Sequence, residues 1–172
     1  DIKGFSSISE KLNPQDLAGM LNEYFSALSE VIAEHGGVIS QFIGDMLVVT
    51  YNAVSSNEDH AINAVRTALG IQAVTNSRTF GKGATLKTSC GINTGDIVIG
   101  AVGTSERLVF TVNGDNINIA ARLEPLNKEY GTYIMVSEST MKACRDECTF
   151  EHVCEVTVRG RETPTKVFTV KN

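Results

Sequence analysis

The sequence predicts one α+β domain with a mostly antiparallel sheet, and three observations lead to that class. Its 172 residues suit a single domain. Amphipathic helical patterns occur among short β-rich runs, several of which follow one another with only a turn between them. Apolar residues make up 42% of the chain and charged residues 20%, a balance that is ordinary for a globular protein and argues against disorder.

The first long helix has clear start and end signals. Asn13 is a helix-capping residue type, and Pro14 suits the first helical position. Apolar residues then recur at spacings of three and four, and the pair Gly36 and Gly37 predicts the end of the helix. These signals predict an amphipathic helix that buries one face.

A β-hairpin and a second helix are predicted next. Two β-rich runs, 38–43 and 46–51, flank Gly44 and Asp45, which places Asp45 at the hairpin tip. A second helical pattern covers about 58–75. The remaining patterns are strands on both sides of a turn at 94–96, a strand over 107–112, a helix over 115–127, a strand over 133–136, a helix over 137–144, and strands over 150–158 and 165–170.

Composition and charge exclude several classes of function. The net charge is −5, from 20 acidic and 15 basic residues without a long basic run, so we do not expect nucleic-acid binding. No apolar run is long enough to cross a bilayer and no signal-peptide pattern is present, so we expect a cytoplasmic domain without membrane contact. The spacing of Cys144, Cys148, His152 and Cys154 fits none of the common zinc patterns, which favours ordinary cysteines in a reducing compartment.

Asp1 and Asp45 are candidates for a shared cation site. If Asp1 ends a strand beside the hairpin that carries Asp45, the two carboxylates converge and repel each other unless a cation lies between them. Oxygen ligands with open positions suit Mg²⁺ or Mn²⁺ bound together with substrate phosphates. The alternative is that Asp45 only forms the turn, since Asp is common in hairpins.

Asn118 and Arg122 are polar positions in an otherwise apolar helical segment. Because they are four residues apart, they share one face of the predicted helix. An Arg on such a helix can bind a phosphate with two parallel hydrogen bonds. The alternative is a surface Arg with an Asn beside it.

Five segments occur in an order that resembles one known family. They read DIKGFS, GGVISQFIGDMLVV, CGINTGDIVIGAVG, FTVNGDNINIAARLE and VTVRGRETPTKVF. Together they resemble the class III nucleotide cyclase catalytic domain of adenylyl and guanylyl cyclases, over nearly the whole chain. The resemblance implies a ferredoxin-like palm flanked by helices, with 1–172 as one catalytic domain. It also implies that the family's first strand, which ends at a metal-binding aspartate, lies upstream of Asp1 and is missing from this sequence.

The resemblance implies a two-metal site. Asp1 and Asp45 match the family's metal-binding aspartates, and the Ile2 carbonyl matches its backbone ligand. Two Mg²⁺ or Mn²⁺ ions per active site are implied. The turn at Gly4 and Phe5 is expected to lie over the substrate phosphates.

The resemblance also implies roles for five further side chains. Asn118 and Arg122 match the pair that holds the ribose and the phosphate of the transition state, and Arg159 stands where the family usually has a Lys for the terminal phosphates. Two positions read the base: Thr111 fits the adenylyl type, whereas Gln41 fits neither usual type. A Gln amide can both donate and accept a hydrogen bond.

The activity implied is that of an adenylate cyclase in intracellular signalling, which converts ATP to 3′,5′-cyclic AMP and pyrophosphate. The active site is expected to be shared across a homodimer, with the metal ligands from one subunit and the other contacts from its partner. Because of Gln41, a guanylate cyclase or an enzyme that accepts both ATP and GTP is the alternative, and an inactive regulatory domain is a second one. A sensor or regulatory domain is expected elsewhere in the full protein.

Overall fold

The computed structural model describes residues 1–106, 108–144, 147–157 and 164–171. The helices among them are α1 (Phe5–Ser9), α2 (Pro14–Glu34), α3 (His60–Ser77), α4 (Asp115–Leu123), α5 (Leu126–Tyr130) and α6 (Glu138–Ala143). The strands are β1 (Val38–Ile43), β2 (Met46–Thr50), β3 (Cys90–Ile92), β4 (Val98–Gly103), β5 (Leu108–Asn113), β6 (Ile134–Ser137), β7 (Thr149–Val156) and β8 (Thr165–Lys171).

The strands of the described residues form three sheets. A four-stranded sheet has the order β3-β6-β8-β7, and two separate hairpins are formed by β1 with β2 and by β4 with β5. The pair β3–β6 is parallel and the other four pairs are antiparallel, so the prediction of an α+β fold with mostly antiparallel strands is confirmed. The sequence did not indicate that the two hairpins stand apart from the four-stranded sheet.

Helix α2 begins and ends where the sequence predicts. The Asn13 side chain accepts a hydrogen bond from the Asp16 backbone N–H at 2.9 Å, and Pro14 is the first helical residue. Gly36 follows the helix with φ 71°, a left-handed conformation that favours glycine. The apolar face of α2 forms most of the largest core cluster, in which Tyr24 packs edge-on against Phe80 with ring centroids 5.6 Å apart.

The predicted helix over 115–127 is wrong in its extent. Helix α4 ends at Leu123, and α5 begins at Leu126 after Pro125. Proline has no backbone N–H, so it cannot continue the hydrogen-bond ladder of α4. The short helix α1 was not predicted, because five residues are too few to show a helical period.

Two findings bear on the chemistry that the chain can host. All four cysteines are free, and Cys144 is completely buried. The described residues contain no group of three or more His, Cys, Asp or Glu side chains that could hold a metal ion.

Within the same part of the chain, no helix combines the length and the apolar character needed to cross a bilayer.

Candidate active site

The first residues of the chain lie along the segment that leads into β3. The Asp1 amino group donates to the Ser89 carbonyl at 3.1 Å, and the Ser89 N–H donates to the Asp1 carbonyl at 2.9 Å. Ile2, only 1% exposed, is the next residue of this antiparallel bridge and lies opposite Thr88. The buried Tyr24 hydroxyl is hydrogen-bonded to the Thr88 hydroxyl at 2.9 Å, so α2 supports the same segment.

Asp45 lies beside the Asp1–Ile2 peptide at one end of this segment. Asp45 lies in the turn between β1 and β2, and its Oδ2 accepts a hydrogen bond from the Ile2 backbone N–H at 3.1 Å. The Asp45 carboxylate therefore lies against the peptide bond that joins Asp1 to Ile2. No Lys, Arg or His of the described residues forms an ion pair with either acid. The Asp45 carboxylate therefore has no cationic side-chain partner, and a bound cation would neutralise its charge.

The oxygen atoms at this place suit a hard divalent cation. Asp45 uses one carboxylate oxygen on the Ile2 N–H, which leaves its other oxygen free. The Ile2 carbonyl accepts one bond from the Phe5 N–H at 3.2 Å, which leaves a second lone pair. Gly4, with φ 74°, makes the left-handed turn that brings the Phe5 N–H to that carbonyl. Carboxylate and carbonyl oxygens are the ligands that Mg²⁺ and Mn²⁺ prefer.

A β-bulge determines where Gln41 points. The register of β1 against β2 shifts between Ile39 and Gln41, so the two side chains do not share a face as simple alternation would require. Ile39 packs on the core under α2, and Phe42 lies edge-on to Phe25 with centroids 5.1 Å apart. Gln41 lies on the opposite face of the hairpin and reaches the neighbouring β4–β5 hairpin.

Gln41 and Thr111 are in direct contact. The Gln41 Nε2 donates a hydrogen bond to the Thr111 Oγ1 across 70 positions of sequence. This bond orients the Gln41 amide, and it leaves the Gln41 oxygen as a free acceptor and the Thr111 hydroxyl hydrogen as a free donor. The two positions that the resemblance assigns to the base therefore form one hydrogen-bonding unit.

Asn118 and Arg122 occupy the exposed face of α4. Ile119 and Leu123 bury the other face, at 1% and 0% exposure. Asn118 and Arg122 are both exposed, and neither side chain has a hydrogen-bond or ion-pair partner among the described residues. Two polar side chains one turn apart are thus free to bind something outside the chain.

A cleft of about 920 Å³ brings some of these residues together and leaves others out. Gln41, Thr111 and Asn118 line it, whereas Asp1, Asp45, Ile2, Gly4, Phe5 and Arg122 do not. Two neighbours of the acids also line the cleft, Ser89, which is hydrogen-bonded to Asp1, and Met46, which follows Asp45 in sequence. Arg159, assigned to the terminal phosphates, lies outside the described residues.

Helix α4 sits very close to β3, and sequence analysis missed the residues responsible. An added Cβ at Gly91 would lie 2.3 Å from the Ala120 carbonyl oxygen, so only glycine permits this approach. At the two ends of the helix, Asn93 contacts Asn116 and Asn127 contacts Glu124 through amide hydrogen bonds. The unusual asparagine content around α4 was the available signal, but it does not by itself indicate which partners these amides have.

Burial governs the titrating groups in and beside the cleft. It raises the pKa of the Tyr51 phenol to about 12 and also raises the pKa of the Tyr24 phenol. Burial likewise raises the pKa of the Cys90 thiol. These groups stay protonated near neutral pH, so none of them offers a general base or a thiolate nucleophile.

The β4–β5 hairpin exposes large apolar side chains on both of its faces. Val98, Val102, Leu108 and Phe110 are between 56% and 69% exposed. The register places Val98 and Val102 on one face of the ribbon and Leu108 and Phe110 on the other. Monomeric proteins rarely leave large apolar patches uncovered. The surface therefore suits contact with another protein chain.

Comparisons with known proteins agree with this geometry. A family model described as the adenylate and guanylate cyclase catalytic domain matches residues 1–172. Adenylate cyclase 1 of Rhizobium meliloti (strain 1021) is 38% identical over 174 residues, which cover 99% of this chain and 26% of the relative. Two solved structures each match 99% of this chain with a TM-score of 0.86. One is the guanylyl cyclase Cya2, which is 32% identical and of which 87% is covered. The other is a bacterial light-regulated adenylyl cyclase, which is 27% identical and of which 49% is covered.

The chain belongs to the family of adenylate and guanylate cyclase catalytic domains. The predicted class III cyclase fold is confirmed by the structural neighbours. The chain spans about a quarter of the length of the Rhizobium relative, which is 26% covered.

Proposed function

We propose that this domain is an adenylate cyclase, which converts ATP to 3′,5′-cyclic AMP and pyrophosphate in intracellular signalling. The observation that carries the proposal is the hydrogen bond from Gln41 to Thr111. It leaves an acceptor, the Gln41 Oε1, beside a donor, the Thr111 hydroxyl. The Watson–Crick edge of adenine presents a complementary pair, the N6 amino donor and the N1 acceptor, and guanine presents one in N1–H and O6. The choice of ATP is supported by the adenylate cyclase of Rhizobium meliloti at 38% identity.

The reaction forms a bond between the ribose 3′-oxygen and the α-phosphorus and breaks the bond from that phosphorus to the pyrophosphate oxygen. We assign Asp1, Asp45 and the Ile2 carbonyl to two Mg²⁺ or Mn²⁺ ions. When bound, these cations would activate the 3′-hydroxyl and neutralise the charge of the triphosphate. The free lone pairs of Asp45 and Ile2 support the assignment.

The remaining residues would bind and orient the nucleotide. The backbone turn at Gly4 and Phe5 would lie over the phosphates, where amide groups can hold anions. Asn118 would hold the ribose, and the Arg122 guanidinium would donate two parallel hydrogen bonds to the phosphate oxygens as charge builds in the transition state. We assign Arg159 to the terminal phosphates.

Two copies of the chain would build each active site. The acids contribute from one subunit, and Gln41, Thr111, Asn118, Arg122 and Arg159 from its partner. The exposed apolar side chains of the β4–β5 hairpin support a homodimer. A cytoplasmic location would give access to ATP, and a sensor or regulatory domain elsewhere in the full protein would control the rate.

The substrate is tested by competition. The purified protein is incubated with equal concentrations of ATP and GTP and saturating Mn²⁺, and the ratio of cyclic AMP to cyclic GMP gives the ratio of the two kcat/KM values. We expect cyclic AMP in excess. Excess cyclic GMP would make the domain a guanylate cyclase, the activity for which the relative Cya2, at 32% identity, is named. No product from either nucleotide would indicate a regulatory domain. Asp45→Asn, which keeps the shape of the side chain, is the matched inactive control.

A further inference from the structure

Helix α4 is attached to the rest of the fold at both ends by asparagine amides. Its outward face carries Asn118 and Arg122, and its inward face buries Ile119 and Leu123. Burial of apolar side chains is not directional, so it favours contact without defining the rotation of the helix about its own axis. Hydrogen bonds are directional and can define that rotation.

Asn127 joins the C-terminal end of α4 to β3. Its side chain is completely buried, and its Nδ2 donates to the Cys90 carbonyl at 3.0 Å and to the Glu124 carbonyl at 2.8 Å. Its Oδ1 accepts a hydrogen bond from the Thr132 hydroxyl at 2.8 Å. Both amide hydrogens are used, one on the strand and one on the residue that follows the helix. Arg122 lies two residues before Glu124.

Asn93 makes the corresponding attachment at the N-terminal end. Its Nδ2 donates to both the backbone carbonyl and the Oδ1 of Asn116, each at 3.1 Å. Its Oδ1 accepts from the Ser139 hydroxyl at 3.1 Å, which ties the contact to the first turn of α6. Asn116 in turn donates to the Asp96 carbonyl at 2.8 Å. Asn118 lies two residues after Asn116.

Gly91 sets the distance between the helix and the strand. A Cβ there would lie 2.3 Å from the Ala120 carbonyl oxygen and 2.6 Å from the Glu124 nitrogen, so the backbones of α4 and β3 are in direct contact. The helix cannot move closer to the strand. Sliding along it or rotating on it are the remaining movements, and the two amides oppose both.

We propose that Asn93 and Asn127 are positioning residues, which hold α4 so that Asn118 and Arg122 project at the correct angle toward the nucleotide. This inference rests on the proposed function, because it takes Asn118 and Arg122 to be the groups that touch the substrate. Asn127 acts chiefly on Arg122 and Asn93 chiefly on Asn118, since each amide holds the nearer end of the helix. The amide of each asparagine is used in hydrogen bonds within the chain, so each would act on the nucleotide through α4.

Two double-mutant cycles test this assignment. We expect Asn127→Ala and Asn93→Ala each to lower kcat by roughly tenfold to a hundredfold, the loss typical of a catalytic group displaced by about 1 Å. The KM for ATP should stay within about twofold, because Gln41 and Thr111 are untouched. In an Arg122→Ala background, Asn127→Ala should lower the residual kcat by less than about twofold, because the group it positions is already absent.

The crossed pairs are the matched controls. Asn93→Ala should remain costly in the Arg122→Ala background, and Asn127→Ala should remain costly in the Asn118→Ala background. A loss of folded enzyme would lower kcat equally in every background, so equal effects in all four combinations would overturn the proposal. Thr75→Val, which removes a buried hydroxyl bonded within α3 at 2.9 Å, reports the effect of a similar structural change away from α4.

Further variants and a second readout keep the test decisive. If Asn127→Ala does not fold, Thr132→Val removes only the bond that orients the Asn127 amide and should give a smaller change of the same pattern. Hydrogen exchange compares the amides of α4 with those of α3 and needs no turnover. If the wild type produces no cyclic nucleotide, the proposed function fails, and the exchange of α4 alone decides whether the asparagines hold the helix. Unchanged exchange in α4 would overturn the proposal whatever the activity.

Discussion

The shared active site makes a quantitative prediction for mixtures of two variants that each have lost most of their activity. Asp45→Ala removes the carboxylate that lies 3.1 Å from the Ile2 N–H, and Arg122→Ala removes a guanidinium that is exposed and forms no ion pair among the described residues. Neither change empties a core position, because Asp45 is part-buried in a turn and Arg122 is exposed. Both variants should therefore fold, and each alone should keep only a small residual rate.

The expected activity of the mixture follows from symmetry. If each site takes Asp45 from one subunit and Arg122 from the other, a mixed dimer has one site with both defects and one site with none. Random pairing of equal amounts makes half of the dimers mixed, and each of these has one intact site of two. The recovered rate should approach about a quarter of the wild-type rate per mole of protein.

The assay is cyclic AMP production at saturating ATP and Mn²⁺, measured against the mixing ratio after co-expression or co-refolding. The curve should be symmetrical, with its maximum at equal amounts. As a control, two variants of the same group, Asn118→Ala and Arg122→Ala, should not complement each other, because every mixed dimer would then carry a defect in both sites. A flat curve at the background of the parent variants would refute a site built across two subunits.

Three further predictions concern single positions. Gln41→Lys should lower the KM for ATP, because Lys would donate a charge-assisted hydrogen bond to N1 and leave the Thr111 oxygen to accept from N6. Gln41→Glu should shift the competition toward GTP, and equal effects of the two variants on both substrates would contradict the role of Gln41 in reading the base. Gly91→Ala should destabilise the fold by about 1–3 kcal/mol in urea unfolding, because its Cβ would meet backbone atoms of α4. Gly100→Ala is the control and should change stability by less than about 0.5 kcal/mol, because its Cβ would lie in open space. Burial raises the pKa of Tyr51 from 10.0 to about 12, so the protonated phenol is favoured in the folded state. The resulting contribution to the free energy of unfolding is fully present below pH 10 and falls by up to about 2–3 kcal/mol as the pH rises to 12. Urea unfolding should therefore show a smaller loss of stability between pH 9 and 11.5 in Tyr51→Phe than in the wild type.

Sequence reasoning succeeded where structure depends on neighbouring residues. The start of α2 at Pro14 follows from the cap at Asn13, which acts over three positions. The β1–β2 hairpin and the long helices follow from periods of two and 3.6 that a short window reveals. The extent of α4 was mispredicted, because the apolar pattern continues past Pro125 whereas the helix ends at Leu123.

The candidate site required information of another kind. The five ordered segments named Asp1, Asp45, Gln41, Thr111 and Arg122 as candidates without relating them to one another. Their local patterns were equally compatible with a turn acid, a polar strand residue or a surface arginine. The roles assigned to these residues stay predictions, and the structure adds only which of them are neighbours.

By itself the sequence determined the family, most of the order of helices and strands, and the list of candidate residues, because each of these depends on residue types at short spacings. Only the tertiary structure decided that Asp45 lies on the Asp1–Ile2 peptide, that a bulge turns Gln41 toward Thr111, and that Asn127 joins α4 to β3. These contacts join residues that lie 37 to 70 positions apart. Contacts over such separations depend on how complete helices and strands pack, and no local pattern of residues specifies that packing.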